Sequence, residues 1–131
     1  MSNEIQVTAL LSCVNDDLNI SSWGVPKSID QAIKGGGLPG YLVVGTAEED
    51  VDLSDLHRPG YAFIKNLGNV GTGTGGPTIT YGPKSGGNLI PFGDLKEGEE
   101  AIFRLTQTYT PTLRIVSDDE ETAVQLVILE D

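Results

Sequence analysis

Turn-forming residues interrupt this chain so often that they limit the secondary structure it can adopt. Its 131 residues include seventeen glycines and seven prolines, which are spread between short apolar runs. Gly and Pro are turn residues, and no apolar segment with helical periodicity reaches the length of an ordinary helix. The sequence therefore predicts an all-β protein, an antiparallel β-sandwich or jelly roll of about 8–10 short strands.

The clearest strand signal lies in residues 89–105, where two apolar runs flank a polar turn. In the second run Ala101, Phe103 and Leu105 alternate with mostly charged side chains. A pleated strand with this pattern buries one face and exposes the other. Gly98, in the turn, can adopt the positive φ that a tight connection often needs. We predict a β-hairpin here, with Phe103 on the buried face.

The first and last apolar runs carry apolar side chains on both faces. Residues 5–14 are expected to form one long strand of about ten residues, and residues 122–129 the final strand. A strand that is apolar on both faces lies inside a two-layer core or against another chain. The single Trp is expected to be a core or interface anchor rather than a sugar-stacking platform. The candidate interface residues are Trp23, Leu10, Val14, Ala123, Val127 and Leu129.

The length of the chain fits one β-sandwich domain over residues 1–131, with residues 1–40 as a candidate extension or oligomerisation arm. No linker composition divides it. The N-terminus lacks the pattern of a signal peptide, and no apolar run approaches the ~20 residues that span a bilayer. We therefore expect a soluble protein made in a cytoplasm. Cys13 is the only cysteine and cannot form an internal disulfide.

The formal net charge is −11, from 19 acidic and 8 basic residues. Phosphate backbones and anionic lipid surfaces repel such a chain over a Debye length. The charge therefore argues against a nucleic-acid partner and against a membrane partner.

Two motifs suggest ligand sites but depart from the patterns that such sites need. Residues 71–76 fit G-x-G-x-x-G, yet Pro77 and a β-prone segment follow where a phosphate site needs a helix, so a flexible loop is expected. Residues 50–55 resemble the start of a calcium loop, but Asp55 and Tyr61 stand where an EF-hand needs Gly and Glu. A looser cation site, here or at residues 118–121, stays an alternative to a charged surface turn.

The residue types for hydrolysis occur, but not in a workable arrangement. Ser54, Asp55 and His57 lie too close along one turn to form the sequential hydrogen bonds of a triad. One Cys and one His also argue against a zinc site. We expect no catalytic residues, no cofactor and no metal. A small enzyme that uses a pair of carboxylates ranks last among the functional hypotheses.

Three segments together resemble a known family. They read G-Y-A-F-I-K-N-L at residues 60–67, L-I-P-F-G-D-L-K-E-G-E-E-A-I-F-R-L at residues 89–105 and V-I-L-E-D at residues 127–131. Their pattern resembles that of the head decoration, or capsid cement, proteins of tailed bacteriophages. It consists of an aromatic strand ending in Asn-Leu, an I-P-F-G-x-L-K-x-G-E segment and a short acidic end. The resemblance covers the C-terminal two thirds of the chain. Residues 1–40 lie outside it, and the Gly-rich segment 68–87 is longer than in that pattern.

The resemblance implies a non-enzymatic virion protein that self-associates and binds the outside of an assembled capsid. Its expected partners are the major capsid protein and further copies of itself, with a trimer favoured and a dimer left open. Its expected location is the capsid exterior of the virion, after assembly in the host cytoplasm. The alternative is a tail or fibre-associated binding module that recognises carbohydrate through Trp23 and the Gly-rich loop.

Overall fold

A computed structural model describes residues 5–15, 18–23, 27–29, 37–70 and 76–130, with side chains for residues 6–9, 40–70 and 76–130. These residues contain fourteen strands and no helix, which confirms the all-β prediction. Six strands have only two or three residues, and eight are longer. The strands are β1 Ile5–Val7, β2 Leu10–Asn15, β3 Leu18–Trp23, β4 Lys27–Ile29, β5 Gly37–Val44, β6 Glu49–Asp50, β7 Pro59–Asn69, β8 Ile79–Gly82, β9 Lys84–Ser85, β10 Asn88–Leu89, β11 Gly93–Leu95, β12 Glu100–Arg104, β13 Arg114–Ser117 and β14 Thr122–Glu130.

The chain separates into two compact units, Met1–Lys34 and Gly35–Asp131. In the first unit β1 pairs with β4, and β2 pairs with β3, both antiparallel. The prediction of one long strand over residues 5–14 is wrong, because that segment forms two strands with different partners. β3, which ends at Trp23, is the strand that returns from β2. The expectation of a single domain over residues 1–131 stays a prediction.

The second unit is an antiparallel β-sandwich of two four-stranded sheets. The long-strand sheet has the order β12-β7-β14-β5, and the short-strand sheet has the order β11-β8-β13-β6. A separate two-stranded ladder joins β9 to β10. Buried side chains from both four-stranded sheets form one core, as the sequence pattern predicts. Its fully buried aliphatic members are Val44, Ile64, Ile79, Ile115, Val124 and Ile128.

Alternation along the two central strands of the long-strand sheet builds this core. Ile64 and Leu126 are register partners, as are Ala62 and Ile128, and all four are buried. The intervening residues are half-buried or exposed on the other face. Pro39 lies in β5, although proline has no amide hydrogen to donate to a neighbouring strand. It is accommodated because β5 is an edge strand of the sheet.

The predicted hairpin over residues 89–105 is wrong, because its first arm is a strand only at Leu89 and from Gly93 to Leu95, and it does not pair with the second arm, β12. β11 pairs with β8 in the short-strand sheet, and β12 pairs with β7 in the long-strand sheet. The connection therefore crosses from one sheet to the other instead of joining two paired strands. Gly98 does adopt a positive φ of 85°. Its amide donates to the carbonyl oxygen of Asn66 at 2.8 Å, which fixes the crossing against β7.

The buried face predicted for the second arm is confirmed. Phe103 packs against the core, stacking on Tyr81 of the opposite sheet with ring centroids 5.7 Å apart and planes 9° apart. Leu105 is buried, and Ala101 is half-buried against the core. Ile102, at the opposite parity, is exposed. Of the predicted Gly-rich loop, residues 71–75 lie outside the described residues, and the strand expected near Thr80 is β8.

Candidate interaction surface

The outer face of the long-strand sheet is mainly apolar. Ile102, Phe63 and Val127 occupy neighbouring register positions on β12, β7 and β14, so they form a row across the sheet. Tyr41 and Val43 on β5 are also exposed, with 74% and 54% of their surfaces accessible. Tyr41 is the register partner of Gln125, in the polar row that Glu100 and Lys65 continue, and Val43 lies beyond that row. We call this surface the outer sheet face, and it consists of Tyr41, Val43, Phe63, Ile102, Val127 and Leu129.

The charged side chains beside these apolar residues are mostly basic. Lys65 forms an ion pair with Glu100 at 3.9 Å, and the Arg104 guanidinium lies 5.0 Å from the centre of the Tyr61 ring. Across the described positions of this face, two cations therefore accompany one carboxylate. The whole chain has a net charge of −11, so the outer sheet face differs from the rest of the molecule in charge as well as in polarity.

The structure places three of the candidate interface residues on β14. Val127 and Leu129 are half-buried on the outer sheet face, whereas Ala123 is buried beside its register partner Val43. The other three lie in the first unit, where Leu10 pairs with Trp23 and Val14 pairs with Asn19 in the β2–β3 ladder. The side chains of these three fall outside the described residues.

The acidic turn 118–121, a candidate cation site, uses its carboxylates to organise the chain. Asp118 accepts a hydrogen bond from the Thr78 amide at 2.9 Å, and Glu120 accepts one from the Thr46 hydroxyl at 2.6 Å. Asp119 accepts from the Glu120 amide at 2.8 Å. Within the described side chains, no group of three or more His, Cys, Asp or Glu residues is arranged to hold a metal ion. The turn thus has a structural explanation in its own contacts.

The other candidate cation segment, residues 50–55, belongs to an ion-pair network around Arg114. The Arg114 guanidinium donates to Asp50 at 2.7 Å and to Glu48 at 2.9 Å, and Lys84 lies 3.2 Å from Asp50. The hydrogen bond from Arg114, followed by that from Lys84, lowers the pKa of Asp50 to about 2. Arg114 likewise lowers the pKa of Glu48. These carboxylates therefore bind β6 and the segment before it to β13.

Ser54 and His57 bond to different carboxylates. The Ser54 amide donates to Asp52 at 2.9 Å, and its side chain also bonds Asp52, which lowers the pKa of that carboxyl. The His57 amide donates to the carboxylate of Glu130. The nearest partners of these residues are thus turn-forming and strand-end contacts.

The described part of the second unit contains several concave regions. A groove of about 780 Å³, lined by both polar and apolar side chains, runs between residues 50–59 and 106–113, with Lys84 at its side. A smaller apolar cleft of about 310 Å³ opens where Tyr81, Phe92 and Phe103 meet. Burial raises the pKa of the Tyr81 hydroxyl, with a further contribution from Asp94. Phe92 is 78% exposed at this cleft and packs edge-on against Tyr81, with the two ring centroids 6.2 Å apart.

Sequence reasoning did not identify Tyr41, Val43 or Ile102 as surface residues of interest. Tyr41 and Val43 lie in β5, and periodicity alone does not say which face of a strand meets the second sheet. For Ile102 the alternation along the strand was the available signal. Ala101 and Phe103 face the core, so Ile102 between them faces outward.

No helix in the described part of the chain is long and apolar enough to cross a membrane. Comparisons of the chain with protein-family models, with curated proteins and with solved structures find no match.

Proposed function

We propose that this protein is a structural virion protein that binds the outside of an assembled bacteriophage capsid, self-associates and stabilises the shell. The observation that carries the proposal is the outer sheet face. It offers exposed apolar side chains on a regular sheet, with the polar row Glu100, Lys65 and Gln125 crossing between Phe63 and Val43. Apolar side chains with polar neighbours on an exposed face are typical of a protein–protein contact. A cement protein acts by closing surfaces against neighbouring subunits, so that separating them costs more free energy.

The resemblance to capsid decoration proteins supports the same function. Its two longest segments, residues 60–67 and 89–105, correspond to β7 and to the β10–β12 region, including the sheet-crossing turn. They build the sandwich and carry Phe63 and Ile102 on the outer sheet face. The net charge of −11 suits a protein outside a DNA-filled shell, because it gives no attraction to the packaged phosphates.

The direct test is a binding assay with capsid shells. The shells come from the phage that encodes the protein and are prepared without it. Purified protein is mixed with expanded shells and, separately, with unexpanded shells. Sedimentation followed by gel analysis measures the bound protein. We expect saturable binding to expanded shells and a higher melting temperature of the decorated shell. Absence of binding to either shell would overturn the proposal.

A matched pair of variants tests the role of the outer sheet face. Val43→Glu introduces a charge on this face, whereas Ile90→Glu introduces the same charge in the segment before β11 of the short-strand sheet, at an aliphatic residue of similar exposure. We expect Val43→Glu to weaken shell binding strongly and Ile90→Glu to leave it unchanged. Equal binding by the two variants would exclude the outer sheet face as the capsid contact.

One observation favours a second candidate, a carbohydrate-binding module of a tail or fibre. Tyr109 is 77% exposed and lines the groove of about 780 Å³ together with several Thr side chains. Exposed aromatic rings next to hydroxyl groups suit sugar stacking combined with hydrogen bonding. Binding to host-surface polysaccharide that disappears in Tyr109→Ala, together with no binding to shells, would favour this function over the first.

A further inference from the structure

β12 is an edge strand of the long-strand sheet. It pairs with β7 on one side, and no described strand pairs with it on the other. Ala101 and Phe103 face the core but remain half-buried, as expected where a sheet ends beside them. An unpaired edge presents a row of backbone donors and acceptors that another strand can pair with.

The hydrogen bonds to β7 determine which backbone groups point outward. The Glu99 carbonyl oxygen accepts from the Asn66 amide at 3.0 Å, and the Leu105 amide donates to the Gly60 carbonyl at 2.8 Å. In an antiparallel ladder the residues that bond to one neighbour alternate with those directed to the other side. The odd-numbered residues of β12 therefore bond to β7, and the backbone groups of Glu100, Ile102 and Arg104 point to the side of β12 away from β7.

The sequence of β12 is complementary to itself in one antiparallel register. With Ile102 opposite Ile102 of a second copy, Glu100 lies opposite Arg104 of that copy, and Arg104 opposite its Glu100. Opposite charges at directly facing positions stabilise a strand pair, and like charges destabilise it. On the inner side the same register sets the small Ala101 opposite the large Phe103. Centring the pair on any other residue of β12 removes both charge pairs.

The remaining sheet edges of this unit are less suited to pairing. β5, the opposite edge of the same sheet, contains Pro39, which has no amide hydrogen. The edges of the short-strand sheet, β6 and β11, have two and three residues. Charged residues on an edge normally discourage pairing, but in β12 their order makes antiparallel self-pairing favourable.

We propose that two copies of this chain associate through β12, antiparallel and centred on Ile102, in a symmetric dimer. The two long-strand sheets then form one continuous eight-stranded sheet with the order β5-β14-β7-β12-β12-β7-β14-β5, and the outer sheet face doubles in length. The β12 pairing gives the geometry of the self-association that the proposed function includes. The location of this dimer in a virion rests on the proposed function. A dimer is the alternative to a trimer that the family resemblance left open.

The test is charge reversal at the two facing positions. Glu100→Arg places arginine opposite arginine in a homodimer, and Arg104→Glu places glutamate opposite glutamate. Sedimentation equilibrium of full-length protein measures the mass against the monomer mass of 13.9 kDa. We expect twice that mass for the wild type and a dissociation constant raised by roughly tenfold or more in each single variant.

Mixing the two variants separates lost pairing from lost folding. In the mixed pair each arginine faces a glutamate, so the heterodimer regains the two opposite-charge pairs. We expect dimer mass to return on mixing and also in the double variant E100R/R104E. A monomeric wild type, a trimer, or single variants that associate as tightly as the wild type would overturn the dimer.

The shell-binding assay tests the capsid function separately from the β12 dimer. Single variants that bind shells while remaining monomeric, without a return of dimer on mixing, would overturn the β12 pairing and leave the capsid function standing. A β12 dimer that behaves as expected but binds no shell would support the pairing and overturn the capsid function.

Discussion

The side-chain amide of Asn66 donates a hydrogen bond to the carbonyl oxygen of Leu95 at 2.9 Å, which joins the two sheets through the core. The same amide group donates to the Pro77 carbonyl at 2.7 Å, and its oxygen accepts from the Gly68 amide at 2.9 Å. Asn66 is fully buried. One polar side chain thus satisfies three backbone groups around the point where the chain crosses between sheets.

Asn66→Ala is expected to lower the free energy of unfolding by about 2–4 kcal/mol, because it leaves buried donor and acceptor groups of the backbone without partners. Urea denaturation followed by circular dichroism measures the change. Asn88→Ala, at an exposed position on β10, is the control and is expected to shift stability by less than about 0.5 kcal/mol. Equal stability of the two variants would mean that the bonds of Asn66 are replaced at no cost.

The bonds of Asn66 lie at a connection that its own local sequence predicts as a hairpin. A polar turn with a glycine at positive φ suits both a hairpin and a crossing between sheets, so residues 96–99 alone do not distinguish them. The choice depends on long-range partners: β11 pairs with Ile79–Gly82, and β12 pairs with the aromatic part of β7. A local pattern predicts the strands and the buried parity of Phe103, but it does not specify which strands are neighbours.

The candidate surface was predictable to a similar extent. The apolar parity at Val127 and Leu129 indicated a strand that contacts apolar groups on both faces, and both residues lie on the outer sheet face. The continuation of that face through Ile102 and Val43 depends on the strand order β12-β7-β14-β5, in which neighbours in space are distant in sequence. Periodicity contains no information on that order.

Phe103→Ala is expected to lower the free energy of unfolding by about 2–3 kcal/mol. This is below the ~3–5 kcal/mol of a fully buried phenylalanine, because Phe103 is only half-buried against Tyr81. Ile102→Ala is the matched control on the opposite face, where the side chain is exposed, and should cost less than about 1 kcal/mol. Chemical denaturation at a concentration that keeps both proteins monomeric gives the comparison. A larger loss for Ile102→Ala would show that the outer face is the better packed one.

The network around Arg114 makes part of the stability dependent on pH. Because the pKa of Asp50 is lowered to about 2 in the folded protein, its ionised form stabilises the fold above its unfolded pKa near ~4. That stabilisation is lost as the pH falls through about 2. Arg114→Met should therefore lower the Tm most above about pH 5, and the difference from the wild type should shrink towards pH 2.

Lys65→Met is the control for this pH dependence. It removes the long, exposed ion pair to Glu100 and should change the Tm little at any pH. Calorimetry between about pH 2 and pH 7 measures all three proteins. A Tm difference between Arg114→Met and the wild type that stays constant over this range would show that Asp50 and Glu48 do not contribute through their ionised forms.

Gly82 and Gly98 must lack a side chain for different reasons, and a pair of alanine variants tells the two reasons apart. A Cβ on Gly82 would overlap the carbonyl oxygen of Ile90, whereas a Cβ on Gly98 meets open space but must adopt a φ of 85°. We expect Gly98→Ala to cost about 1 kcal/mol from backbone strain. Gly82→Ala should cost more than about 2 kcal/mol, because β8 and the segment before β11 must move apart. Urea denaturation of both variants measures the two losses, and a smaller loss for Gly82→Ala would show that the segment around Ile90 shifts freely.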